Sequence, residues 1–263
     1  MLETRDLTVR FGGHVAVDHV SCTFAAGTLT AIVGPNGAGK TTYFNLISGQ
    51  IAATEGDVSL NGQSLGGMSA SRRTRAGLGR AFQLTNLFPN LSVLENVRLA
   101  VQAARSGKHL RGLNLWSIWS DHKALTTRAI EVLEAVAMSE QRDQLVASLP
   151  HGDQRKLEVA LLMALDPLVF MFDEPTAGMS ADEAPVILDL IRQLKRDKSK
   201  TILLVEHKMD VVRELADRII VLHNGQLVAD GEPSAVIALP VVQEAYLGIA
   251  PNPVHPELVE GSA

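Results

Sequence analysis

Gly34-Pro35-Asn36-Gly37-Ala38-Gly39-Lys40-Thr41 fits the pattern G-x-x-x-x-G-K-[ST], a glycine-rich loop that cradles phosphate groups. The apolar run Leu29 to Val33 reads as a buried strand feeding the loop. Lys40 to Ser48 reads as a helix closed by Gly49. In a strand, loop and helix of this kind, glycines let the backbone wrap close to phosphate oxygens. Successive N–H groups then point inward as an anion nest at the helix N-terminus. The pattern assigns Lys40 to the β- and γ-phosphates and the Thr41 hydroxyl to Mg²⁺. Gly34, Pro35, Asn36, Gly37, Ala38, Gly39, Lys40, Thr41 and Thr42 together form the candidate nucleotide-binding stretch.

Composition narrows the class. The chain has 263 residues, which suits one large α/β domain with subdomains. Its 24 Lys and Arg stand against 29 Asp and Glu, a net charge of −5, so no overall electrostatic attraction to nucleic acid is expected. Cys22 is the only cysteine. An intramolecular disulfide and a cysteine metal cluster are therefore excluded, which favours a reducing cytoplasm. Met1 to Arg10 lacks the pattern of a signal peptide. The longest apolar stretch, Leu157 to Phe172, is broken at Asp166-Pro167 and is too short to span a bilayer. The chain is expected to be soluble by itself.

Along the chain, Glu3 to Arg10 and Val15 to Phe24 read as strands around a Phe11-Gly12-Gly13 turn. Asp57 to Leu60 followed by Asn61-Gly62 reads as a hairpin. Ser69 to Ala76 is a short helical candidate, and Leu78 to Gln83 a short strand. From Ser92 to Ala164 helical spacing dominates, with breaks near Ser106-Gly107 and Arg111-Gly112. Strand and helix then alternate through Leu168–Phe172, Ala181–Asp197, Thr201–Val205, Met209–Ala216 and Arg218–Leu222. Such alternation predicts a parallel sheet. The tail from Pro251, with prolines at 251, 253 and 256, is expected to be extended or disordered.

A second chemical constellation is Leu168-Val169-Phe170-Met171-Phe172-Asp173-Glu174-Pro175, an apolar strand ending in two carboxylates. A strand buried on both faces belongs inside the sheet, where its C-terminal end opens onto the ligand crevice. Asp173 is the candidate Mg²⁺ residue, through water, and Glu174 the candidate to orient or deprotonate a water attacking the γ-phosphate.

The glycine loop, Gln83 in Gly79-Arg80-Ala81-Phe82-Gln83, the segment Leu149-Pro150-His151-Gly152-Asp153-Gln154-Arg155, Asp173-Glu174-Pro175 and Glu206-His207 follow one another in this order. In that order they resemble the ATP-binding subunits of ABC transporters, over residues 1 to about 249. The form Leu-x-x-Gly-x-Gln-Arg-x-Leu-Glu, Ala177-Gly178-Met179-Ser180 and Glu244-Ala245-Tyr246-Leu247-Gly248 are most similar to branched-chain amino acid import ATPases. The resemblance implies an α/β P-loop NTPase with a RecA-like parallel core, an antiparallel β subdomain and a helical insertion at about 84–164. It implies ATP and Mg²⁺ as ligands and hydrolysis as the activity.

The resemblance also implies residue roles. Phe11 would stack on adenine, although a core aromatic at a strand end is the alternative reading. Gln83 would sense Mg²⁺ and the attacking water, and His207 would contact the γ-phosphate. Gly152 would present backbone N–H groups to a nucleotide held by a second ATPase subunit, so hydrolysis needs a head-to-tail dimer. The other implied partners are transmembrane permease subunits and, indirectly, an extracytoplasmic solute-binding protein, which puts the chain at the cytoplasmic face of the membrane. The same motifs serve importers of other solutes and lipid-export machines. They also serve soluble ABC ATPases of DNA repair or translation, but this acidic chain lacks a coiled-coil insertion and a second glycine loop. Arg105, Lys108, Arg111 and Lys123 around Trp116 and Trp119 suit lipid headgroups or a permease loop, or simply a solvated surface.

Two positions depart from the family pattern. Ser180 stands where the loop after the acidic strand has Asp, and Pro150 stands where the signature has Ser. The fixed φ of Pro150 suits the first turn of a helix expected over Gly152 to Ala164. The departure removes one hydroxyl donor to a charged phosphate, a bond worth roughly 1.5–3 kcal/mol. The signature is therefore expected to complete a weaker ATP site on a sister subunit. Pro150→Ser should tighten ATP-driven dimer closure of the assembled complex severalfold; unchanged or weakened closure would show that the proline is neutral or adapted.

Overall fold

The computed structural model describes residues 1–81, 87–106, 117–180 and 182–247. Gln83, Lys108, Arg111, Trp116 and the proline-bearing tail lie outside the described residues. Among the described residues, β1 (Leu2–Phe11), β2 (His14–Phe24), β4 (Glu55–Leu60) and β5 (Gln63–Ser64) form an antiparallel sheet in the order β2-β1-β4-β5. A second sheet contains β3 (Leu29–Val33), β6 (Leu78–Ala81), β7 (Val169–Asp173), β8 (Thr201–Val205), β9 (Arg218–His223) and β10 (Gln226–Gly231). Its order is β10-β9-β3-β8-β7-β6, and every pairing is parallel except that of β10 with β9. The central strands β3, β7 and β8 are buried at every position. Such burial explains their unbroken apolar runs, since both faces of the sheet are covered.

The period of two sorts these strands between two cores. Ile32, Val169, Met171, Leu203 and Val205 point toward the antiparallel sheet and toward α1 (Lys40–Ser48), joining Leu2, Phe24, Tyr43 and Phe44. Leu29, Phe170, Phe172, Ile202 and Leu204 point the other way, into a helical layer. That layer contains α3 (Val93–Ser106), α4 (Ser117–Ala135), α5 (His151–Leu165) and α6 (Ala184–Lys195). Val93, Val97 and Val101 recur every four residues on α3, and Leu125, Ala129, Val132, Leu133 and Val136 line one face of α4. This is the spacing of an amphipathic helix, and full burial of each larger side chain contributes about 1.5–3 kcal/mol. Beyond the core strands, α7 (Met209–Leu215), α8 (Pro233–Ile237) and α9 (Pro240–Leu247) cover Ala31, Val33, Ile219 and Val221 through Val212, Val236 and Val242.

Local chemistry sets the helix ends. Ser92 and Glu95 form a reciprocal capping box at the entry to α3, the hydroxyl accepting from Glu95 N–H and the carboxylate from Ser92 N–H. Two expectations need correction. Pro150 is the N-cap of α5 with ψ 155°, rather than a residue of its first turn, because α5 already begins at His151. The helix expected from Ala181 begins at Ala184. Pro185 takes an early position there, while Ser180 and Glu183 hold the preceding turn by bonds between Ser180 N–H and hydroxyl and the Glu183 carboxylate.

The C-terminus of α1 is closed by two devices. Gly49 takes the left-handed conformation, φ 77°. Arg73, on α2 (Ala70–Ala76), is buried and donates to the carbonyls of Leu46 and Ile47 at 2.8 Å each and of Met68 at 3.3 Å. Burial holds the guanidinium pKa below its usual range. The cation serves carbonyls that have no partner within the helix and meets the negative end of the helix dipole. Arg73→Ala leaves the Leu46 carbonyl only the Gly49 N–H and removes the donor to Ile47, and should lower the free energy of unfolding by about 3 kcal/mol. Urea denaturation checks this, and an unchanged midpoint would show that the cap is dispensable.

Candidate functional site

β3 ends at Val33 and the loop to α1 begins at once. Gly34, Gly37 and Gly39 all take positive φ, at 151°, 80° and 96°, a region that side-chain-bearing residues avoid. A Cβ on Gly34 would also collide with the carbonyl oxygen of Leu222. The loop thus presses against the end of β9. It is braced there by the bond from Gly225 N–H to the Ala38 carbonyl, 3.0 Å.

A cavity of about 260 Å³ opens over this loop, lined by His14, Ala16, Asn36 to Thr42, Glu174 and His207. Lys40, buried, lies folded along the loop, its Nζ donating to the carbonyls of Gly34 at 2.7 Å and Pro35 at 2.9 Å. Burial lowers its ammonium pKa, and the carboxylates of Glu174 and Asp173 pull it back up. Thr41 and Thr42 both face the cavity from the first turn of α1.

The opposite wall comes from the ends of β7 and β8. Glu174 takes φ 50°, uncommon for a residue with a side chain, and its N–H donates to the Val205 carbonyl at 2.9 Å. Its Oε1 lies 2.7 Å from His207 Nε2. Behind this pair Glu206 is buried and forks between two loops. Its Oε1 accepts from the Thr176 hydroxyl at 2.8 Å, and its Oε2 from the His207 N–H at 3.0 Å. Asp173 is buried beside Glu174, with Oδ2 2.7 Å from Arg80 Nη2 and Oδ1 lacking any hydrogen-bond partner among the described residues. A buried carboxylate oxygen without a donor is costly unless a cation or its water meets it. Together with the Thr41 hydroxyl on the cavity wall, this oxygen fits a hard divalent cation with oxygen ligands.

The chain therefore brings the glycine loop, Lys40, Thr41, Thr42, Glu174 and His207 around one cavity, with Asp173 directly behind it. Phe11, half exposed at the β1–β2 turn, is not among the lining residues. Gly152 is buried near the start of α5, and a Cβ there would collide with Glu183 Oε1. Gln83 lies outside the described residues. Sequence reading gave no role to Arg80, Glu206, His14 or Ala16. The first two stand inside the quoted segments Gly79–Gln83 and Glu206-His207, but Asp173, which Arg80 meets, and Thr176, which Glu206 meets, are distant in sequence. A wider cavity of about 440 Å³, between the end of α3 and the middle of α4, is lined by Arg105, Lys123, Arg128 and Glu131 among others. Its described lining residues include neither a glycine loop nor a carboxylate pair, whereas the smaller cavity has the glycine loop and Glu174.

Comparison with known proteins gives a concordant result. The family model described as ABC transporter matches residues 17–177. The chain is 36% identical over 251 residues to the high-affinity branched-chain amino acid transport ATP-binding protein LivG of Escherichia coli (strain K12), covering 95% of this chain and 98% of that one. Among solved structures it resembles the ADP conformation of an ATP-binding cassette of an ABC transporter, with TM-score 0.79 and 28% identity, covering 95% of this chain and 99% of the other. It also resembles the dimeric post-hydrolysis state of an ATP-binding cassette bound to ADP and phosphate, with TM-score 0.73 and 25% identity, covering 89% and 99%.

Proposed function

This chain belongs to the ABC transporter family as an ATP-binding ABC ATPase, and from that premise we propose that it is the motor subunit of an importer for branched-chain or related amino acids. The observation that carries the reading is the placement of Glu174 and His207, 2.7 Å apart, across one cavity from the glycine loop and Lys40. The relatives named for branched-chain amino acid transport support the cargo class.

In this reading the N–H groups of the loop and the start of α1 bind the phosphates. Lys40 leaves the Gly34 and Pro35 carbonyls for the transferred phosphate. Thr41 and Asp173 would hold Mg²⁺, which neutralises phosphate charge when bound. Glu174 takes the proton of the attacking water. His207 donates to Glu174 when its Nε2 carries the proton and so fixes the direction of that carboxylate. Glu206 fixes His207 in turn, by holding its backbone N–H. Phe11 is the adenine platform, its exposed face awaiting a ring, and Gln83 monitors cation and water. Gly152 offers the N-terminus of α5 to the nucleotide of a second ATPase subunit.

The second subunit is a sister ATPase chain, and the pair sits against permease subunits at the cytoplasmic face of the membrane, fed by a solute-binding protein outside. Among the described residues no helix is long and apolar enough to cross a membrane.

Glu174→Gln keeps the shape of the side chain but removes the base. Mg-ATP binding should persist while turnover of the assembled transporter falls at least about a hundredfold; turnover at the wild-type rate with both subunits' equivalent glutamates replaced would exclude the role. The cargo is tested separately, by uptake of labelled leucine, isoleucine and valine into vesicles carrying the assembled transporter. Uptake should require ATP and this chain, and uptake unaffected by its omission would assign it another cargo.

A further inference from the structure

Arg80 lies on β6, at the edge of the six-stranded sheet, in register with Met171 of β7. Met171 points toward α1, and Asp173, two residues further on, points the same way. Arg80 therefore meets two groups at once. Its Nη2 donates to Asp173 Oδ2 at 2.7 Å, while its Nη1 donates to Asn45 Oδ1 at 2.6 Å and Ser48 Oγ at 3.0 Å, both on α1. The guanidinium carbon stands 5.5 Å from the centroid of the Phe44 ring, again on α1. The two side chains of the ion pair are 10% and 1% exposed.

A carboxylate this deeply buried needs a compensating charge, and Arg80 supplies it through only one of the two oxygens. The other, Oδ1, is buried without a hydrogen-bond partner among the described residues. The other arm of the guanidinium is held by Asn45 and Ser48, so among the described bonds the planar fork meets the carboxylate at Oδ2 alone. We propose that Arg80 is a positioning residue for the cation site: it pins Asp173 by Oδ2, keeps Oδ1 directed to Mg²⁺ or its water, and ties that carboxylate to the helix carrying the phosphate loop. The inference rests on the Mg-ATP reading above and adds to it a residue outside the cavity lining. Mg²⁺ demands near-ideal octahedral geometry, and loss of the partner that orients a ligand typically costs 10- to 100-fold in metal affinity or activity. One guanidinium shared by α1 and β7 keeps the loop helix and the cation ligand in a single frame.

The test separates this role from a merely structural tie. ATP affinity of the full chain is measured with Mg²⁺ and again with EDTA, and the ratio of the two reports what the cation adds. Arg80→Met keeps an unbranched stem over Phe44 and removes the donors. It should lower the ratio about tenfold while changing the affinity in EDTA less than about twofold. Arg80→Lys retains the charge but cannot span Asp173, Asn45 and Ser48, and should lower the ratio severalfold; it carries the same test should the Met variant fail to fold. In an Asp173→Asn background, Arg80→Met should lower the ratio no further, because the effect runs through that carboxylate. A wild-type ratio in both Arg80 variants, or an equal further loss in the Asp173→Asn background, would overturn the proposal. A wild-type chain that binds no ATP with or without Mg²⁺ would instead overturn the ATPase reading, and the inference with it.

Discussion

The close approach of Gly34 to the Leu222 carbonyl governs the rest of the site. β3 and β9 run side by side with Val33 opposite Val221, so the chain leaves β3 directly against the end of its neighbour. Only a residue without Cβ passes there. The turn beyond β9 then closes over the loop, with Gly225 bonded to Ala38 and Asp18 N–H bonded to the Gly225 carbonyl. The shape of the loop is thus imposed from outside by the sheet. The N–H groups at the start of α1 and the ammonium of Lys40 inherit their positions from it, and an anion site that is already organised loses less on binding than one that must be ordered.

α1 carries that organisation into both sheets. Tyr43 is fully buried and its hydroxyl bonds Thr4 Oγ1 on β1 at 2.8 Å, which ties the helix to the antiparallel sheet. On its other side Asn45 and Ser48 meet Arg80 on the parallel sheet. At its far end Arg73 and Gly49 satisfy the carbonyls. A nine-residue helix is marginal alone, and this one is fixed by its neighbours at both ends and on both flanks.

The parts of the fold and site that sequence revealed are those written in local patterns. Leu29–Val33, the glycine loop, Lys40–Ser48 with Gly49, and Thr201–Val205 are each a run or a spacing contained within a few residues, and the structure places these elements at those bounds. Pairings that depend on register were not legible. Arg80 and Asp173 stand 93 residues apart and meet because β6 lies beside β7, a neighbour relation no local pattern records. The bond between Glu206 and Thr176 has the same origin, since it joins the ends of two different strands. Pro150 was misplaced by one step because a proline suits both the cap and the first turn, and only the observed ψ separates them.

The strand order also sets a gauge. β8 lies between β3 and β7, and the registers put Ile32 level with Val205 and Val205 level with Asp173. The phosphate loop and the acidic strand end therefore stand two interstrand spacings apart, roughly 9.5 Å. Were the two strands adjacent, half that width would remain, too little for a tetrahedral anion with a water lined up behind it. The intervening strand acts as a shim, and its own tip delivers His207 into the space it opens, with Glu206 buried behind it. The width of the reaction chamber is thus fixed by backbone pairing in the middle of the sheet, where side-chain substitutions at the rim cannot change it.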